Sequence, residues 1–295
     1  MKYFINTLFL AFSFFSIAAS TDYLPTPTAE LVKHTFYTLS YNESNEQAEW
    51  VYYVLTDSMV MNSGEERTNK FKIDKLVRTG SAKTSDYTKS GYDRGHLCPA
   101  GDMGFNPVAM EESFFMSNIS PQTPEFNRGI WKELETKVRE WAKTKHRVFV
   151  ATGPVFRDIK GKIGEEGVTV PGYFYKVIYD ESSRPEMIAF LLPNAGSNRP
   201  LSDFAVSPDE VEAQTGIDFF SQLPDDVENS LEGRVELAGW FDGYTSATAQ
   251  PIATVNSMSN DEPVKRQSDL LFYGILIGVL LLVILFVFIK GKRRR

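Results

Sequence analysis

Polar and apolar positions along the chain alternate with a period of two in several short runs and with helical spacing in one long one. Trp50–Thr56 (WVYYVLT) is rich in β-branched and aromatic residues and predicts a strand. Arg147–Val155 (RVFVATGPV) predicts a second, ended by Gly153-Pro154, and Tyr173–Tyr179 (YFYKVIY) and Met187–Leu192 (MIAFLL) predict two more. The stretch after His34 (HTFYTLSY) alternates like an edge strand. Between the first two strands, Ile130, Trp131, Leu134, Val138, Trp141 and Ala142 recur every three or four residues, with charges of both signs between them. That is an amphipathic helix. A second, acidic helix is expected over Pro208–Thr215. Many strands and few helices predict an α+β fold with a largely antiparallel sheet. No internal linker interrupts it, so one domain is expected over about residues 28–245.

Both ends of the chain depart from this pattern. Residues 1–20 join Lys2 to a short Phe- and Leu-rich run that closes on Ala18-Ala19-Ser20, as a secretory signal peptide does. Leu270–Ile289 holds no charge for twenty residues, and a helix of that length spans roughly 30 Å, a bilayer core. The basic tail 290–295 follows it, which predicts a cytoplasmic tail with the body on the far side of the membrane. Residues 246–269 are rich in Ser, Thr, Ala and Asn and predict a flexible tether. The expected topology is a single-pass protein with its body outside the cytoplasm, on a periplasmic or secretory-lumen side. A glycan on the sequon Asn118-Ile119-Ser120 would obstruct the chemistry expected nearby, which favours the periplasmic setting.

Charge changes the picture further. All 38 acidic residues lie between the two terminal segments with only 25 of the 31 basic ones, so the body carries −13. A uniformly basic coat for polyanions is excluded. A single cysteine, Cys98, excludes an intrachain disulfide framework, and no Cys/His cluster suggests zinc. Of three histidines, His34 reads as structural or surface, and His146 closes a Lys-rich helix end where a cation offsets the helix dipole. His96 lies in GYDRGHLCPAGDM, crowded by glycines and charge without core periodicity, and is the candidate for catalysis. Asp93 and Arg94 are placed to orient or tune its ring. Downstream, Asn127, Glu135 and Arg139 follow one another into the amphipathic helix. On one regular helix Asn127 and Glu135 would be about 12 Å apart along the axis, too far to bind one ion directly. Alone, this segment reads better as an N-cap, Asn127, followed by an ordinary i,i+4 pair of Glu135 and Arg139.

GYDRGHLCPAGD resembles the DRGH signature of the DNA/RNA non-specific endonuclease family, the ββα-metal nucleases. Arg67 four residues before Phe71, Asp86-Tyr87, SNISPQTPEFNRGIWKELE and TGPVF match further pieces in order over about residues 35–225. The resemblance implies a ββα-metal fold and hydrolysis of DNA and RNA. It assigns His96 as general base, Asn127 as the protein ligand of a divalent cation (Mg²⁺, with Mn²⁺ as the substitute), and Glu135 as the carboxylate holding that cation's water shell. Arg67 and Arg139 would grip the scissile phosphate, with Arg94 in support. Cys98 stands where the family commonly has Ala. A small buried filler is expected there, although a Cys98–His thiol hydrolase is a rival reading. Another rival is a catalytically silent nucleic-acid-binding domain held at the membrane. To reconcile the acidic body with a polyanionic substrate, Arg67, Lys70, Lys72, Lys75, Arg78, Lys83, Lys89 and Arg94 are expected to form a local positive groove. The sequence leaves the oligomeric state open, a homodimer included.

Overall fold

Strands that are apolar at nearly every position need cover on both faces, and the fold supplies it. The computed structural model describes residues 23–244. In chain order these form β1 (Glu30–Lys33), β2 (Tyr37–Asn42), β3 (Gln47–Thr56), α1 (Asp57–Met61), β4 (Asp93–His96), α2 (Pro107–Ser113), β5 (Ile119–Gln122) and α3 (Pro124–Asn127). There follow α4 (Ile130–Lys145), β6 (Arg147–Ile163), β7 (Val168–Asp180), β8 (Glu186–Pro193), β9 (Ala205–Val206), α5 (Pro208–Thr215) and α6 (Asp225–Glu232). Seven strands make one antiparallel sheet in the order β1-β2-β3-β6-β7-β8-β9, and β4 and β5 form a separate antiparallel ribbon. The mixed architecture with an antiparallel sheet agrees with the expectation from the sequence.

Alternation sorts the side chains between two cores. Val148 and Val150 of β6, Phe174 and Ile178 of β7, and Ile188 and Phe190 of β8 face α4, whose Trp131, Leu134, Val138 and Trp141 complete that layer. Their neighbours Phe149, Ala151, Val177, Tyr179, Met187 and Ala189 face the other way, under Val211 of α5 and Leu231 of α6. The acidic helix lies where its pattern places it, with Ser207 as N-cap accepting from the Glu210 amide (3.2 Å).

One boundary differs from expectation. β6 does not end at Gly153-Pro154 but runs on to Ile163. A Cβ on Gly153 would sit 2.1 Å from the Glu49 carbonyl oxygen, so this glycine serves close strand approach rather than a turn. Pairing with β3 stops at Thr152, whereas β7 continues opposite Pro154 through Phe174. His34 is structural, buried beside β1 and hydrogen-bonded through Nε2 to Asp74 Oδ2 (2.9 Å). Among the described residues no helix is long and apolar enough to cross a membrane. The expected segments 1–20, 246–269, 270–289 and 290–295 lie outside the described residues.

Candidate active site

The β4–β5 ribbon positions the DRGH segment. Gly95 pairs with Ser120, and a Cβ there would meet the buried Gln122 side chain at 2.2 Å, so glycine leaves the room that this side chain occupies. The ribbon delivers Arg94 and His96 to one wall of a cleft of about 350 Å³; the irregular segment before β4 supplies Arg67, α3 supplies Asn127, and α4 supplies Glu135 and Arg139. All six residues singled out in the sequence therefore line one cavity, and His96 and Asn127 open onto the same cleft.

His96 is only 6% exposed. Phe114 meets it edge-on at 4.9 Å and Phe71 tilts against it at 5.5 Å. Its Nε2 is buried with no hydrogen-bond partner, which leaves Nδ1 as the ring nitrogen for the cleft. Burial, and then the charge of Arg67, push its pKa down to about 3, so the imidazole is neutral at any ordinary pH rather than poised at the usual 6.5. Asp93 does not orient this ring, contrary to the expectation from sequence. It accepts a hydrogen bond from Asn127 Nδ2 (2.9 Å) and two from Arg128 (2.8 and 2.6 Å). Burial pushes the Asp93 carboxyl up, but the hydrogen bonds from Arg128 and Asn127 outweigh it and hold the group below its usual range. With Nδ2 committed to a carboxylate, the Asn127 amide is locked by orientation, and its Oδ1 is left for other partners. Arg94 donates to the Thr84 carbonyl (2.7 Å) and lies over Tyr87 and over Phe71, the ring that also packs against His96.

Asn127 and Glu135 are not on one regular helix. α3 ends at Asn127, Arg128-Gly129 break the path, and α4 starts at Ile130. The spacing derived for a continuous helix does not apply, and Asn127 is the last residue of a short turn rather than an N-cap. Nor do Glu135 and Arg139 form an i,i+4 pair. Arg139 donates instead to Asp102 Oδ1 (2.8 Å), a fully buried carboxylate that also accepts from the Tyr53 hydroxyl (2.8 Å).

Beneath the cleft lies a residue that the sequence reading missed. Lys176 of β7 is fully buried, its Nζ has no hydrogen-bond partner, and it lies over the Trp131 ring at 4.8 Å. Burial pulls its pKa down, opposed by the charges of Glu135 and Asp102. Burial raises Glu135 in turn, opposed chiefly by Lys176. The signal was present as the single charge inside YFYKVIY, a run otherwise apolar enough to be covered on both faces. Arg128, Lys132 and Asp102 were also missed.

The cleft is rich in cations, but they are not the ones expected. Of the eight cations between residues 67 and 94, only Arg67 and Arg94 line it, joined by Arg128, Lys132 and Arg139 from the helical side; Glu135 is the carboxylate in the lining, while Asp93 and Asp102 pair with Arg128 and Arg139. Lys72 and Lys83 are spent on Glu111 and Glu166. Sequence clustering could not show this, because α3 and α4 fold back across the ribbon. Cys98 is fully buried in the main core, and burial pushes its thiol up, away from a nucleophilic thiolate. The sequon residue Asn118 is likewise buried, its side chain bonded to both backbone groups of Cys98 and to the Ser113 carbonyl.

Residues 18–226 match the family described as DNA/RNA non-specific endonuclease. Nuclease C1 of Cunninghamella echinulata var. echinulata is 37% identical over 216 residues, which cover 68% of this chain and 86% of that protein. The mitochondrial nuclease EXOG of Danio rerio is 36% identical over 217 residues, 68% of this chain but 63% of its own, so the chain spans less than two thirds of that relative. A crystal structure of the EndoG/EndoGI complex is similar with a TM-score of 0.63 at 35% identity, covering 66% of this chain and 87% of that one.

Proposed function

The chain belongs to the DNA/RNA non-specific endonuclease family, and from that premise we propose that it is a membrane-anchored, extracytoplasmic, metal-dependent endonuclease that hydrolyses both DNA and RNA. Members of this family cleave phosphodiester bonds. The observation that carries the reading for this chain is the convergence of Arg67, Arg94, His96, Asn127, Glu135 and Arg139 on one cleft. The β4–β5 ribbon followed by α3 and α4 is the unit expected of a ββα-metal nuclease.

The donor set fits a small divalent cation. An amide oxygen freed by the Asn127–Asp93 bond, and a carboxylate at Glu135, are hard oxygen donors of the kind Mg²⁺ or Mn²⁺ prefers. Asn127 would hold the ion directly and Glu135 through its water shell. When bound, the cation supplies Lewis-acid stabilisation of negative charge on the phosphate and leaving oxygen. His96 accepts the proton of the attacking water at Nδ1. The ring is neutral before substrate arrives, and an anionic phosphate beside it raises its basicity from the low value of the free cleft. Arg67 and Arg139 hold the phosphate oxygens, with Arg94 in support. Asp102 fixes the Arg139 guanidinium so that little ordering is left for binding. Contacts to phosphate rather than to base edges carry no sequence information, which accounts for non-specific cutting.

The terminal segments complete the reading: a signal peptide at 1–20, the nuclease domain at 28–245, a tether at 246–269, a membrane helix at 270–289 and a cytoplasmic tail at 290–295. What supports them is the pattern of charge and apolarity along the chain. A plasmid-nicking and RNA-digestion assay tests the chemistry. Cleavage of both substrates that EDTA abolishes and His96→Ala reduces by at least a thousandfold is expected; EDTA-resistant cutting, or binding without turnover, overturns it.

A further inference from the structure

On the face of the sheet turned away from the cleft, α5 and α6 pack together over a second core that includes Val211, Phe219 and Leu231. Where the helices meet, carboxylates from both converge. One oxygen from each of Asp209, Glu212 and Glu232 lies within 4.8 Å of the other two. Glu232 is only 6% exposed, and its Oε1 has no hydrogen-bond partner. Glu212 spends one oxygen on the Phe219 amide (2.9 Å), and Asp209 is exposed. No ion pair among the described residues involves any of the three. The charges that act most strongly on Glu232 are acidic, namely Glu212, Glu228, Asp209 and Asp218. Such a cluster, partly removed from water and without a cation, is repulsive as it stands.

We propose that Asp209, Glu212 and Glu232 form a calcium site that fastens α5 to α6, separate from the catalytic cleft. The donors are all hard oxygens, which selects an alkaline-earth ion over zinc or copper. Calcium accepts irregular sets of six to eight oxygens at about 2.3–2.6 Å, so two oxygens on one ion stand up to about 5 Å apart, and the observed spacing falls within that span. The exposed Asp209 leaves an open side through which the ion and its remaining waters enter. Burial and like charge push Glu212 up to about 7 and Glu232 up to about 8, as expected of carboxylates lacking their counter-ion. The catalytic cleft lies on the opposite core, so calcium here would set the stability of the C-terminal part of the domain without joining the chemistry.

The full-length chain, stripped with EDTA and exchanged into chelator-free buffer at pH 7.5, tests this by calorimetric titration with Ca²⁺ and by thermal melting. One ion is expected to bind, and at about a hundredfold excess over Kd the melting temperature should rise by roughly 5–10 °C. Glu232→Gln and Asp209→Asn should each weaken Ca²⁺ binding at least tenfold and so remove about half of the rise or more. Asp209→Asn is an exposed, conservative change, so it remains informative should Glu232→Gln fold poorly. Asn127→Ala should leave the rise intact, and Asp209→Asn should cut nucleic acid in Mg²⁺ at the wild-type rate. No calcium-dependent rise in the wild type overturns the proposal, because the cluster is then held by protons. A rise that survives Asp209→Asn but disappears in Asn127→Ala overturns it equally.

Discussion

The orientation of Asn127 by Asp93 gives the most direct handle on the cleft. In Asp93→Ala, the Asn127 amide loses its only described side-chain partner and Arg128 loses both hydrogen bonds. Arg128 is 71% exposed, so water takes over from the carboxylate and its release contributes little. The hydrogen bond from Asn127 to an ionised, largely buried carboxylate is worth more, about 1.5–3 kcal/mol. If that energy is what keeps Oδ1 turned outward, its loss appears as weaker cation binding. At about 1.4 kcal/mol per decade it corresponds to roughly 10- to 100-fold, the range seen when a ligand loses its outer partner. The assay is the initial rate of plasmid nicking against Mg²⁺ concentration. The half-saturating concentration should rise by that factor, while the rate at saturating Mg²⁺ recovers to within a few fold. Asp93→Asn, which keeps an acceptor but loses the charge, should fall between. Because Arg128 and Asn127 hold the Asp93 carboxyl below its usual range, Asp93 stays ionised on acidification, and an earlier loss of Mg²⁺ affinity should come from Glu135, whose carboxyl burial pushes up to about 7. An unchanged half-saturation point in Asp93→Ala, or a fall in rate that Mg²⁺ cannot restore, would refute the reasoning.

Three further outcomes follow from the same geometry. Lys176→Met removes the buried cation that acts most strongly on Glu135, while Asp102 keeps its ion pair with Arg139, so urea unfolding at pH 8 should show a loss of about 3 kcal/mol, partly restored by adding Glu135→Gln. The sign for activity is also fixed: without Lys176 the Glu135 carboxyl rises further, and the acid limb of the rate profile should move to higher pH. NMR of the His96 Hε1 proton should show no titration between pH 8 and pH 5, since its pKa lies at about 3; a midpoint near 6.5 contradicts the buried-ring account. The stability gained by burying this neutral ring is complete above about 6.5 and lost as pH falls through the folded value. Cys98→Ser should retain activity at a cost of about 1 kcal/mol in stability, whereas a thiol hydrolase would be silenced.

The sequence alone determined the elements whose identity is written in local period. The strands around Trp50, Val150, Val177 and Ala189, and the helix carrying Trp131 to Ala142, appear where alternation and helical spacing put them. It also supplied six residues of the cleft, through the resemblance of DRGH and the Asn-bearing segment to a known pattern, while Arg128 and Lys132 carried no such mark. Partners were a different matter. That Asp93 serves Asn127 and Arg128 rather than His96, that Arg139 answers to Asp102, and that Lys176 lies under Glu135 depend on α3 and α4 crossing the β4–β5 ribbon and the sheet. The same holds for the meeting of Asp209 and Glu212 with Glu232 across the α5–α6 junction. Even the basicity of His96 was invisible, since Phe71, Phe114 and Arg67 reach the ring only through packing. Backbone propensity acts over a few residues and is legible in one dimension, whereas hydrogen-bond partners, dielectric surroundings and charge neighbours are properties of proximity in space, fixed only when distant segments close around a common core.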